Sequence, residues 1–296
     1  MGLRGAAREE MHGAAFRAAN AVTLGMELVA VVVAVAFAYP WGRRLPAWAV
    51  LGPMWVGAGL LGPILLGVPL GMAIQSAVGG SAVPDGDGGG AGPELSGWVF
   101  GVVYGGFTVQ AVTLIWAFAL YARDRWPTAF VSRAHGTPDG KPQAATRALQ
   151  LLLVRGASLV AAVAGVAQIV QALGGDGSLT AAQRTFVCVG GVVALCGTAG
   201  ALRLVRGRGP GRSAPALAAA WVGTGHLLAG GVFASGVGGV AGAVSVFGGF
   251  AGLLLAVACL LTLLENDRDG ERDGGRDGDR DGGPRPGLAP PPGALY

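Results

Sequence analysis

Seven long apolar runs alternate with short polar stretches along this chain. A membrane-spanning helix needs roughly 20 mostly apolar residues to cross about 30 Å of hydrocarbon. The runs Ala21–Tyr39, Ala47–Ile74, Gly97–Tyr121, Gly156–Leu173, Thr185–Leu202, Ala214–Ala234 and Val240–Leu264 meet that requirement. The pattern predicts an all-α membrane protein, a bundle of about seven transmembrane helices. The second run carries Pro53, Pro63 and Pro69, which predicts a kink or a broken helix there.

The polar stretches divide the chain. Residues 1–20 read as a polar N-terminal segment, 21–126 as a first transmembrane half of three helices, and 127–155 as a basic loop. Residues 156–264 form a second half of four helices, and 265–296 a tail. The segment Gly79–Gly92, rich in Gly and Asp, is expected to be a flexible external loop. From Glu265 a degenerate Asp-Arg-Asp-Gly pattern leads into Pro284–Pro292; mixed charge with Gly and Pro cannot bury a core, so disorder is expected.

Charge decides the orientation. Only 13% of residues are charged, about half the share usual in soluble domains. The loops after the first, third and fifth spans hold twelve basic residues, among them Arg43, Arg44, Arg123, Arg125, Arg203 and Arg206. The opposite loops hold only Arg184, joined on that side by Arg4, Arg8 and Arg17 of the N-terminal segment. Cytoplasmic loops carry the Lys and Arg excess. The N-terminus is therefore expected outside and the C-terminus in the cytoplasm, with the protein in the plasma membrane. These Arg residues flank apolar runs and form no aromatic-interleaved patch, so a net charge of +4 does not imply nucleic acid. Their expected partner is the bilayer, with its anionic headgroups. Cys188, Cys196 and Cys259 all lie inside apolar runs, where they read as small packing residues rather than a disulfide framework.

The first run has a competing reading as a signal peptide, with a basic lead-in and the small-x-small triplet Ala36-Phe37-Ala38. Glu27 interrupts its apolar core, and cleavage would export Arg43 and Arg44, so a retained span is the reading adopted.

Trp55-Val56-Gly57-Ala58-Gly59-Leu60-Leu61 in the second run is matched by Trp221-Val222-Gly223-Thr224-Gly225-His226-Leu227 in the sixth. Both segments cross in the same direction after an Arg-rich loop, which is the pattern of two related halves in parallel orientation. The competing explanation is chance similarity in a Gly-, Ala- and Val-rich background. Trp41-Gly42-Arg43-Arg44-Leu45-Pro46, together with Tyr104-Gly105-Gly106-Phe107 and Tyr121-Ala122-Arg123-Asp124-Arg125-Trp126, resembles uncharacterised multi-pass membrane proteins of GC-rich actinobacteria. The resemblance covers chiefly the first half and implies class and origin, with no activity or site residues to carry over.

Glu27 is the only acidic residue inside a span, and His226 the only histidine. An ionisable group at the bilayer centre costs about 2.5–3.5 kcal/mol on insertion scales, so it normally faces protein or water. At 1.5 Å per residue, Gln110, Gln168 and His226 fall roughly 17–18 Å from the cytoplasmic edge and Glu27 about 20 Å. One layer predicts one buried polar cluster of Glu27, Gln110, Gln168 and His226. Buried carboxyl groups can exchange protons near neutrality, which suits proton-coupled transport. The plainer reading is that such groups only bond neighbouring helices, at about 0.6 kcal/mol each.

No other motif names a chemistry. Gly236-Val237-Gly238-Gly239-Val240-Ala241 fits a loose dinucleotide fingerprint but lacks a strand and borders a span. Gly67-x-x-x-Gly71, Gly238-x-x-x-Gly242 and Gly248-x-x-x-Gly252 are helix-contact motifs. The sequence points to no cofactor, no metal and no enzyme. Three readings follow: a small transporter or permease-like protein with an unspecified small-molecule substrate; a non-catalytic membrane subunit or scaffold, binding a second copy or another membrane protein through Gly-rich helix faces; and, ranked last, an intramembrane enzyme using Glu27 and His226.

Overall fold

The computed structural model describes residues 13–79, 97–125, 144–174, 179–206, 214–234 and 239–280. Most of the Gly- and Asp-rich loop, much of the basic loop and residues 281–296 of the tail lie outside the described residues. Among the described residues all regular structure is helical. In chain order come α1 (Ala14–Ala38), a 3-10 turn (Pro40–Arg44), α2 (Ala47–Val78), α3 (Gly97–Arg125), α4 (Ala144–Leu173), α5 (Ala181–Arg206), α6 (Ala214–Phe233) and α7 (Gly239–Arg280). Each of α1 to α7 contains a stretch long and apolar enough to cross a membrane, so the chain is a multi-pass integral membrane protein with seven such helices among the described residues.

The helices overrun the apolar runs. α1 starts at Ala14 and α4 at Ala144, inside the segments that hydropathy assigns to the polar N-terminus and the basic loop. α7 stays helical to Arg280, beyond Glu265 where composition places the end of any packed structure. Hydropathy marks the hydrocarbon boundary, whereas a helical backbone satisfies its own hydrogen bonds and continues past that boundary. α2 is also unbroken, with Pro53, Pro63 and Pro69 all inside it. The expected break is absent because each proline removes a single ladder bond, and packed neighbours can accommodate the loss in a membrane helix.

The junction between α2 and α5 is stitched by side chains. Thr180 and Gln183 form a capping box at the start of α5: the Gln183 N–H donates to Thr180 Oγ1 at 3.2 Å, and the Thr180 N–H to Gln183 Oε1 at 2.9 Å. Gln75, buried near the end of α2, accepts the Ala182 N–H at 3.1 Å and donates to the Gly79 carbonyl at 2.8 Å. Gly79 ends α2 with φ +85°, a conformation that favours glycine.

Helices α2, α4, α5, α6 and α7 pack extensively on one another and form a body. Lipid supplies no hydrophobic drive for helices to associate, so they gain contact by close approach over small residues. α6 is the hub. Gly223 meets Gly197 of α5, Gly225 meets Gly59 of α2, and Gly231 meets Gly249 of α7, backbone against backbone. The buried cluster at the centre is mainly alanine, with Ala157, Ala161, Ala194, Ala220 and Ala251 around Leu255. Cys259 is buried in it, whereas Cys196 is exposed; all three cysteines are free.

Helices α1 and α3 stand apart as an arm. α1 packs on the 3-10 turn, α2 and α3, and α3 packs chiefly on α2. Of the most apolar stretch of α6, 44% is buried, against 11% for α1 and 6% for α3. The two halves of the chain are thus packed differently, although their matching Trp-containing segments touch directly. Gly59 lies on Gly225, and Trp55 Nε1 donates to Thr224 Oγ1 at 3.0 Å.

A Cβ on Gly225 would lie 2.5 Å from the Trp55 carbonyl oxygen, whereas one on Gly57 would meet open space. Gly225→Ala is expected to destabilise the detergent-purified protein by about 1–3 kcal/mol through overpacking. Gly57→Ala should be neutral or stabilising by up to about 1 kcal/mol, because alanine suits a helix interior better than glycine. Thermal unfolding followed by tryptophan fluorescence separates the two; equal Tm values would contradict this packing.

Candidate intramembrane polar site

The residues of the predicted polar layer form two pairs, not one cluster. In the arm, the Gln110 side-chain amide on α3 donates to a Glu27 carboxylate oxygen on α1 at 2.9 Å, both side chains half-buried. In the body, His226 Nε2 on α6 lies 3.3 Å from Gln168 Oε1 on α4. Among the described residues no hydrogen bond joins the pairs. The physical reason is the packing: α1 rests on α2 and α3, whereas α6 is surrounded by α2, α5 and α7. Depth along a helix follows from residue counting, but which helices are neighbours does not. The expected meeting of Glu27 with His226 is therefore replaced by two separate meetings at similar depth.

Glycine builds the body pair. A Cβ on Gly190 of α5 would fall 2.9 Å from Gln168 Oε1 and 3.0 Å from His226 Nε2, so the bare backbone there leaves room for both side chains. The ring also faces the backbone of Gly59 on α2. Four helices thus converge on one imidazole, which sits where the two Trp-containing segments cross. Thr224, two residues earlier, accepts from Trp55 and donates its own hydroxyl to the Ala220 carbonyl at 2.6 Å. Sequence reasoning did not single out Thr224; its one signal was that the matched segments differ there, with Ala58 in the Trp55 segment where the Trp221 segment has Thr224.

The arm pair belongs to a longer seam. Toward the Arg43 end, α1 and α3 part to form a cleft of about 480 Å³ whose lining includes Ala34, Phe37, Arg43, Ala117, Tyr121 and Asp124. Arg43 and Asp124 form an exposed ion pair at its mouth. Below it, the Tyr121 hydroxyl donates to the Gly42 carbonyl at 2.9 Å, and the Arg125 guanidinium donates to the same carbonyl at 3.2 Å. Arg125 also reaches the Leu45 carbonyl and the Tyr121 hydroxyl. Gly42 is required here, since a Cβ would lie 1.8 Å from the Ala36 carbonyl oxygen. Two of the motifs singled out in the sequence, Trp41–Pro46 and Tyr121–Trp126, thus interlock through their described residues as one clasp. Phe37 packs on Tyr121 at 4.9 Å between ring centroids, and Phe118 stacks on Trp221 of α6 at 6.4 Å, which ties the arm to the body near this end.

No family model matches the chain, and no curated protein or solved structure matches it either.

Double-mutant cycles test the pairing. Gln110→Leu with Glu27→Leu is expected to show a coupling of about 0.5–1.7 kcal/mol, the range for hydrogen bonds between membrane helices. Glu27→Leu with His226→Leu should be additive within about 0.5 kcal/mol, as distant sites are. Coupling between Glu27 and His226 as large as that between Glu27 and Gln110 would restore the single cluster.

Proposed function

We propose that this integral membrane protein is a small proton-coupled transporter. In this reading the α1–α3 arm moves against the glycine-locked body, and Glu27 takes up and releases the proton. The observation that carries the reading is the position of Glu27: the one acid away from the ends of the described spans lies in the thinly packed arm, half-buried against Gln110. A glutamine at this position would bond Gln110 equally well without an ionisable group, whereas charge at the bilayer centre costs about 2.5–3.5 kcal/mol. Helix adhesion alone gives no reason for a carboxyl group. The clasp at Gly42 and the Phe118–Trp221 stack supply a hinge at the Arg43 end, and the small-residue contacts keep the body rigid. By the Lys and Arg distribution, the Arg43 end faces the cytoplasm of a plasma membrane, with the N-terminus outside.

A second reading, as a non-catalytic subunit or scaffold, is favoured by α3. Gly101, Gly105 and Gly106 have nothing within 4 Å of a would-be Cβ, which leaves a face that a helix of another chain would fit. Neither reading makes the protein an enzyme.

The discriminating experiment uses proteoliposomes loaded with a pH-sensitive dye and exposed to a panel of small solutes. A solute that shifts lumenal pH with wild type, and at least about tenfold more slowly with Glu27→Gln, is the expected result for a proton-carrying carboxyl group. Identical traces for wild type and Glu27→Gln across the panel, with a stable protein partner co-purifying from native membranes, would contradict transport and leave the subunit reading.

A further inference from the structure

We infer that the seam between α1 and α3 is an aqueous half-pathway that carries water and protons between the Arg43 end and Glu27. The inference rests on the transport reading for its purpose but on separate observations for its existence. Residues seven apart on a helix lie on one face, two turns from each other. Glu27 and Ala34 are so related on α1, and Gln110, Ala117 and Asp124 on α3. The cleft is lined by Ala34, Ala117 and Asp124, the same faces that carry the Glu27–Gln110 bond deeper in. The cleft therefore points along the seam to the carboxyl group.

From Ala34 to Glu27 the remaining rise is about 10 Å. Ala30 lies in this interval on α1 and Leu114 on α3, and both are half-buried rather than closed over. Small side chains on α1 leave Leu114 as the bulky group in the interval. At the inner end Gln110 bonds one Glu27 oxygen, and the other has no protein partner among the described residues. Water held in a protein interior needs polar groups to bond. Here the carboxylate supplies them at one end, and Arg43 with Asp124 at the other. The Arg43–Asp124 pair is exposed, and exposed ion pairs contribute little to stability, so opening the mouth is cheap. Beyond Tyr39 and Tyr121 at the mouth, no other ionisable side chain of α1, α2 or α3 lies between this mouth and Glu27.

Substituted-cysteine accessibility tests the pathway without knowledge of any substrate. In a background lacking Cys188, Cys196 and Cys259, single substitutions Ala34→Cys, Ala30→Cys and Ala117→Cys are treated with a membrane-impermeant methanethiosulfonate. The reagent is applied to vesicles of each orientation, with Val31→Cys and Val112→Cys as lipid-facing controls, both valines being exposed on the isolated chain. All three seam positions should react from the Arg43 face. Ala30→Cys should react at least about tenfold faster than Val31→Cys, because the thiolate is the form that attacks the reagent and hydrocarbon disfavours that ion. Equal rates for Ala30→Cys and Val31→Cys would mean that lipid or packed side chains fill the seam, and would overturn the inference. Labelling of Ala30→Cys from the opposite face alone would overturn it too. Should Ala30→Cys not fold, Leu114→Cys across the seam is compared with Val112→Cys by the same criterion. A reactive seam with Glu27→Gln silent in the dye assay would keep the pathway and remove the transporter, so the two claims fail separately.

Discussion

A helix that leaves lipid for another helix exchanges one apolar neighbour for another, so it gains only what closer contact provides. In this protein that contact is backbone on backbone. Gly223, Gly225 and Gly231 project from α6 in three directions, at 100° per residue, and each lets a different helix approach until side chains no longer separate the two backbones. Every one of these crossings has a glycine on the facing helix too, namely Gly197, Gly59 and Gly249. Carbonyl oxygens or backbone carbons occupy the space where a Cβ would go. The body is consequently rigid for a steric reason, and its alanine-rich centre follows from the same spacing.

The arm obeys a different rule. Between α1 and α3 the contacts are aromatic and polar side chains: Phe37 on Tyr121, Glu27 with Gln110, and the Gly42 clasp. Such contacts are local and leave the faces between them open, which is why a cleft exists in this seam. Polar bonds between membrane helices are individually modest, about 0.6 kcal/mol on average. The part of the molecule that carries the in-span carboxyl group is thus also the part least constrained by packing. His226 sits in the opposite situation, wedged above Gly190 where four helices meet, and its bond to Gln168 helps hold the body.

Much of this was legible in the sequence, for identifiable reasons. The seven spans follow from hydropathy because a bilayer admits few alternatives to a helix. The prolines of α2 do not break it, since the loss of single ladder bonds does not break a packed helix. The depths of Glu27, Gln110, Gln168 and His226 could be counted from a 1.5 Å rise, and the two bonds observed join residues of similar depth. Their partners could not be counted. Pairing depends on which helices adjoin, and that was decided by glycines such as Gly190 and Gly225, which look alike in a chain holding 55 of them. The similarity between the Trp55 and Trp221 segments reads equally as duplication or as chance; in space the two segments form one interface, a relation that similarity alone does not imply. Gly42 and Arg125 stood out as motif residues, but their mutual contact was not foreseeable.

Central to the proposed mechanism is an arm, α1 with α3, that moves as a unit against a fixed body. Distances between spin labels on purified protein in nanodiscs test this most directly. One label at Val109 on α3 and one at Val192 on α5 span arm and body; labels at Val163 on α4 and Val257 on α7 lie within the body, and all four sites are exposed. A moving arm predicts a broad or two-peaked distribution for the first pair, changing in proportion between acidic and alkaline pH and held at one peak by Glu27→Gln. A fixed body predicts a single narrow peak for the second pair under every condition. Two equally narrow, pH-independent distributions would show that the arm is fixed to the body, and would contradict the mechanism.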